Sequence, residues 1–140
     1  MIKAIIFDLD GVLVDTKKIH FEALNEALKK FNYKEIKFED HIKIFDGLPT
    51  NEKLKILNKK ENLPKKNFSK INKYKQKITS EILKKNIKKN KEILEIFKNL
   101  HKKYKIAVAT NAVNSTLKIC LNKLGISKYI DFKLSNEDIN

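Results

Sequence analysis

Arginine and tryptophan are absent from this chain of 140 residues, and cysteine and methionine occur once each. Each gap excludes something. With Cys120 as the sole thiol no intrachain disulfide can form, and its place in an apolar-periodic stretch reads as a small core hydrophobe in a reducing compartment. Only three glycines and two prolines punctuate the chain, and neither an internal repeat nor a disordered linker is visible between them. No apolar run approaches the length of a membrane span, and the opening Met1–Phe7 is too short for a secretory apolar region before acidic residues begin. The expected location is cytoplasmic, with no membrane partner.

What the chain has in quantity is lysine. The formal net charge of +14 rests on 31 basic residues, every one of them lysine. Recognition of phosphate or guanine by paired hydrogen bonds favours the guanidinium fork, which lysine cannot offer. Spread with asparagine and isoleucine over the whole chain, these charges read as solvated helix surface, not as a nucleic-acid stripe. The length suits one core, or one core with a small inserted module.

Two periodicities alternate. Residues 3 to 9, Lys-Ala-Ile-Ile-Phe-Asp-Leu, form a short continuous apolar run, as expected of a parallel strand covered on both faces, and Ile5, Ile6, Phe7 and Val108 read as core. Gly11 allows a sharp turn after it. From Lys17 to Phe31 apolar residues recur at spacings of three and four, predicting a helix capped by Asp15 or Thr16. Phe38 to Asn86 is helical only, in three pieces: one stopped at Gly47, one begun by Thr50 as N-cap after Pro49, and one from about Lys65. A further helix, about 90 to 103, leads into a second apolar strand ending Val108-Ala109-Thr110-Asn111. A helix capped by Ser115 and stopped by Gly125 follows, then a weaker strand over 131–135. The order predicts an α/β fold: a Rossmann-like parallel sheet with its active loops at the strand carboxyl ends. The strandless block reads as an insertion, so residues 1–16 and 87–140 form the core and 17–86 an inserted α-helical cap.

Asp8 and Asp10 stand at the mouth of the first strand. Two carboxylates separated by one residue can aim at one point if the chain leaves pleated geometry there. A Mg²⁺ ion could sit among them, taking few protein oxygens and filling its shell with water and phosphate. With phosphate charge neutralised, one aspartate can attack phosphorus while the other moves protons.

Phe7-Asp8-Leu9-Asp10-Gly11-Val12-Leu13-Val14-Asp15-Thr16 resembles the first motif of the haloacid dehalogenase superfamily, in the branch with a helical cap. Val108-Ala109-Thr110-Asn111-Ala112 resembles its second. The resemblance implies a Mg²⁺-dependent phosphatase of small phosphorylated metabolites. Asp8 would form an aspartyl-phosphate, and Asp10 would be general acid and base with its carbonyl on the metal. Thr110 and Asn111 would grip the phosphoryl oxygens. His20 matches a cap-hinge histidine of the sugar-phosphate mutase and phosphatase relatives. Asp46-Gly47-Leu48-Pro49-Thr50 would be the loop that reads substrate, and Lys53, one turn into the next helix, could meet an anionic substrate. The mutase relatives place an arginine in this loop, so its absence favours hydrolysis over the phosphomutase alternative.

The family also uses a phosphate-clamping lysine and a later acidic strand end, and neither motif is found in the 140 residues. The expectation is therefore an amino-terminal portion of an enzyme, weakly active by itself, with poor solubility where apolar faces lie uncovered. Glu137 and Asp138 are the candidates for substitute metal ligands. A non-catalytic binding module with the same fold is the alternative from a different class.

Overall fold

A computed structural model describes residues 2–138 of the chain. Two compact units emerge, one from Met1–Thr16 with Ile82–Asn140 and the other from Lys17–Glu81. The fold is α/β. Among the described residues no helix is long and apolar enough to cross a membrane.

The first unit is built on three parallel strands in the order β1-β2-β3: β1 Ala4–Phe7, β2 Lys105–Ala109 and β3 Phe132–Leu134. Helix α5 (Lys91–Leu100) precedes β2 and α6 (Asn114–Leu124) follows it. The Asn90 side chain caps α5 by accepting from the Ile93 amide at 3.1 Å. Gly125 ends α6 in the left-handed conformation, where a Cβ would be strained. Val113 stands at the N-cap of α6 and cannot accept a hydrogen bond through its side chain, so the expected cap at Ser115 is displaced. At the amino end of β2, Asp131 ties the sheet together. Its Oδ2 accepts from the Ile106 amide at 2.9 Å and its Oδ1 from Lys105 Nζ at 2.9 Å, and these bonds hold the carboxyl below the usual range.

Among the described residues the sheet is covered on one face, not two. Ile106 and Val108 are fully buried, and the Phe97 ring of α5 lies 4.8 Å from that of Phe7, the register partner of Val108. On the other face Ile6 is 69% exposed and Phe132 61% exposed, both in register with Ala107. The reading of Ile6 as core is thus corrected. A continuous apolar run says that a strand can be covered on both faces, while coverage itself depends on which helices pack there.

The second unit is helical: α1 (Lys17–Lys30), the short α2 (Phe38–Asp40) running into a π-helical turn over His41–Phe45, then α3 (Thr50–Glu61) and the first part of α4 (Phe68–Asn86). Leu24, Ala27, Leu28, Phe45, Leu54 and Leu57 make its core. Thr50 is the first helical residue of α3, not its cap; Pro49 holds the cap position, its fixed φ suiting the helix entry. Asn25, buried on α1, clasps the connection to α2 by both ends of its amide, donating to the Ile36 carbonyl and accepting from the Ile36 amide at 2.9 Å each.

Asn25→Ala leaves those two backbone groups without their partner. It is expected to destabilise the protein by about 2 kcal/mol in chemical denaturation, whereas Ile6→Ser on the open sheet face should change stability by no more than about 0.5 kcal/mol.

Candidate active site

The carboxyl end of β1 is shaped by its own backbone. Leu9 is fully buried, with exposed Asp8 before it and half-buried Asp10 after it. The chain then doubles back. The Leu13 and Val14 amides both donate to the Leu9 carbonyl at 3.0 and 3.1 Å, and the Gly11 amide donates to the Val14 carbonyl at 2.7 Å. Gly11 sits at φ +80°, which a side chain would strain. Asp8 Oδ1 accepts from the Leu9 amide at 2.6 Å, so the turn's backbone orients the first carboxylate directly.

The second strand end arrives beside this turn because the parallel register pairs Phe7 with Val108. Thr110, two residues on, is buried, and its hydroxyl lies 3.4 Å from Asp10 Oδ2, a long hydrogen bond across 100 positions of sequence. Asp10 Oδ1 accepts from the buried Thr16 hydroxyl. Thr16 was legible only as a possible helix cap; its contact with Asp10 adds a second hydroxyl to the corner. The Thr110 hydroxyl also accepts from the Ala112 amide at 3.1 Å, which curls the loop around it and leaves Asn111 exposed. Cys120 lies within reach of the Asp10 field. Burial first, and that negative charge second, push its thiol up to about 12, so it remains an unreactive thiol.

The other sequence-derived candidates, His20, Gly47, Leu48, Thr50 and Lys53, belong to the helical unit. Gly47 takes the left-handed conformation at φ +72°. Beside it the Lys17 ammonium meets Asp46 Oδ2 at 2.9 Å; burial opposes ionisation of Asp46, but this bond and charge prevail and lower its pKa. Lys53 is only 5% exposed, far from an ordinary surface lysine. Lys75, equally buried, was not singled out from sequence, and its Nζ lies 3.2 Å from His20 Nδ1. His41 was missed as well. It is fully buried at the start of the π-helical turn, with the Phe21 ring centroid 5.4 Å away, and neither of its ring nitrogens has a hydrogen-bond partner among the described residues. No pattern announced either residue: a lysine or histidine on a helix has the same spacing whether it faces water or the interior.

Asp8 and Asp10 offer hard oxygen ligands. Among the described residues no group of three or more His, Cys, Asp or Glu could enclose a metal ion. Their chemistry suits a cation such as Mg²⁺, which takes one or two protein carboxylates and completes its shell with water and ligand phosphate. Glu137 and Asp138 are engaged elsewhere: Glu137 Oε2 accepts from the Asn114 amide at 2.7 Å and Asp138 Oδ2 from the Ser135 amide and hydroxyl at 2.7 Å each. Their suggested role as substitute metal ligands is not supported.

The strand ends of the parallel sheet bring Asp10 to Thr110, and the chain belongs to the haloacid dehalogenase-like hydrolase family, whose model matches residues 5–140. It is 33% identical over 142 residues to the phosphorylated carbohydrates phosphatase of Thermotoga maritima, a match covering 98% of this chain and 62% of that protein. The chain thus spans about three-fifths of that relative's length. Solved structures share the fold as well. CbbY from Rhodobacter sphaeroides in complex with phosphate superposes with a TM-score of 0.86 at 18% identity, covering 99% of this chain and 65% of that one. The beta-phosphoglucomutase of Clostridium difficile gives 0.77 at 23%, covering 100% and 64%.

His41 makes the helical unit sensitive to acid. Burial, then the Lys53 charge, lower its pKa from 6.5 to about 4, with His20 adding to the depression while Asp46 and the nearby Lys17 carbonyl oppose it. The unfolded chain therefore takes up this proton before the folded one does. Stability from this group is intact above pH 6.5 and falls as pH drops towards 4, by up to roughly 3 kcal/mol. Thermal unfolding measured between pH 7 and 4 is expected to show this loss, and His41→Phe should flatten it.

Proposed function

We propose that the chain carries the phosphoryl-transfer centre of a Mg²⁺-dependent phosphohydrolase acting on small phosphorylated metabolites, with Asp8 as nucleophile and Asp10 as general acid and base. The observation that best supports this reading is the meeting of Asp10 with Thr110, which joins the two motif-bearing strand ends in one corner.

In the first step an Asp8 carboxylate oxygen attacks phosphorus, the bond from phosphorus to the ester oxygen breaks, and Asp10 gives its proton to the leaving alkoxide. In the second, Asp10 takes a proton from water as the water oxygen attacks the same phosphorus. The bond to Asp8 then breaks, releasing inorganic phosphate. The Thr110 hydroxyl and the Asn111 amide hold the phosphoryl oxygens as charge redistributes. The carboxylate of Asp8 and the carbonyl of Asp10 would hold the cation, whose positive charge offsets that of the phosphate dianion.

His20, Gly47, Leu48, Thr50 and Lys53 are the groups proposed to select the substrate. The 33% identical relative is named for phosphorylated carbohydrates, which makes sugar phosphates the first substrates to try. Hydrolysis is preferred over phosphomutase chemistry because the 33% identical relative is a phosphatase and the loop Asp46–Thr50 lacks the arginine expected of a mutase.

Incubation with Mg²⁺ and a small sugar phosphate or acetyl phosphate, followed by borohydride reduction, is expected to convert Asp8 to homoserine, read by peptide mass. Trapping needs one half-reaction only, so slow turnover does not obscure it. Asp8→Asn should abolish the product, and Thr110→Ala should slow its formation roughly 10²-fold. Reduction product at another carboxylate, or hydrolysis undiminished in Asp8→Asn, would sink the assignment.

A further inference from the structure

The loop after β2 is held by the end of β3 and the segment that follows it. Three hydrogen bonds join them in sequence order: the Thr110 amide donates to the Leu134 carbonyl at 2.9 Å, the Asn136 amide to the Ala112 carbonyl at 3.1 Å, and the Asn114 amide to Glu137 Oε2 at 2.7 Å. The last is of a different kind. Helix α6 begins with Val113 at its cap and has no acidic residue in its first turn, so it has neither a local acceptor for its opening amides nor a local charge against its dipole. Glu137, from outside the helix, supplies both.

Glu137 is itself braced. Its amide donates to the Ser135 hydroxyl at 3.3 Å, and that hydroxyl donates to Asp138 Oδ2 at 2.7 Å, which also accepts the Ser135 amide. Ser135 is 1% exposed. A buried serine therefore anchors the short turn from which the carboxylate reaches the helix.

We propose that Glu137 is a positioning residue for the phosphoryl-binding loop: by capping α6 from a distant segment it fixes the Thr110–Asn114 backbone in the shape that presents the Thr110 hydroxyl and the Asn111 amide. The role rests on the function proposed above, since it is the phosphoryl group that this loop would hold. Glu137 touches no reacting atom. Its effect passes through the first amide of α6 and the loop that ends there.

The test pairs a readout of the cap with one of the site. Amide hydrogen exchange at Asn114 and affinity for inorganic phosphate with Mg²⁺ are measured in the whole chain, in Glu137→Ala and in Glu137→Gln, which keeps a carbonyl oxygen where the acceptor was. Glu137→Ala is expected to raise exchange at Asn114 at least tenfold and weaken phosphate about fivefold, with Glu137→Gln returning both to within about twofold. Glu137→Asp, too short to reach the amide, should behave like the alanine variant and carries the test if that variant does not fold. Unchanged exchange in Glu137→Ala or Glu137→Asp, or raised exchange with phosphate affinity intact, overturns the proposal, as does failure of glutamine to restore either. Absence of phosphate binding by the unaltered chain overturns the site reading itself, and the positioning role with it.

Discussion

Parallel pairing of β1 with β2 is the constraint on which the rest of the candidate site depends. Once Phe7 stands beside Val108, the residues just beyond the two strands have to share a corner. There the ladder ends and backbone groups become available for turns. The doubled-back turn at Leu9–Val14 and the curled loop at Thr110–Asn114 use those groups. Asp10, accepting from Thr16 on one oxygen and Thr110 on the other, is where the two turns meet. A one-residue slip of register would turn Thr110 to the opposite face and dissolve the corner.

The parts of this corner that were legible in the sequence share one property: they are set by local rules. A short apolar run bounded by Asp-Gly is a strand and a turn wherever it occurs, and Gly125 ends a helix by its own φ preference. Helix starts were less legible. Thr50 and Ser115 are good capping residues by type, yet Pro49 and Val113 occupy the cap positions. For α6 the acceptor comes instead from Glu137, 23 residues away, and no window over the helix could contain it. Thr16 stands just before α1, where a cap was expected, but its contact with Asp10 was not legible, because it depends on how tightly the Gly11 turn folds back.

Burial was the least legible quantity of all. Ile6 belongs to as apolar a run as any in the chain and stands 69% exposed, while Lys53 and Lys75, two of 31 lysines, are 5% exposed each. Composition correctly placed most of that charge on solvated helix faces. It could not single out the members that turn inward, because the helical period locates a residue relative to its own helix axis and not relative to a neighbour.

Chemistry and substrate choice therefore stand at different distances from the sequence. Phosphoryl transfer asks for a few groups at strand ends, where backbone hydrogen bonding dictates position to within the reach of one side chain. Substrate choice, in the reading proposed here, rests with groups such as His20 and Lys53, whose position is set by burial and by neighbours such as Lys75. A change at Ile71 or Leu54, deep in the helical core, could move those neighbours without altering any motif. Two chains with the same Asp8–Asp10 turn can thus share a reaction while accepting different phosphate esters, and the difference lies in the packing of the helical unit.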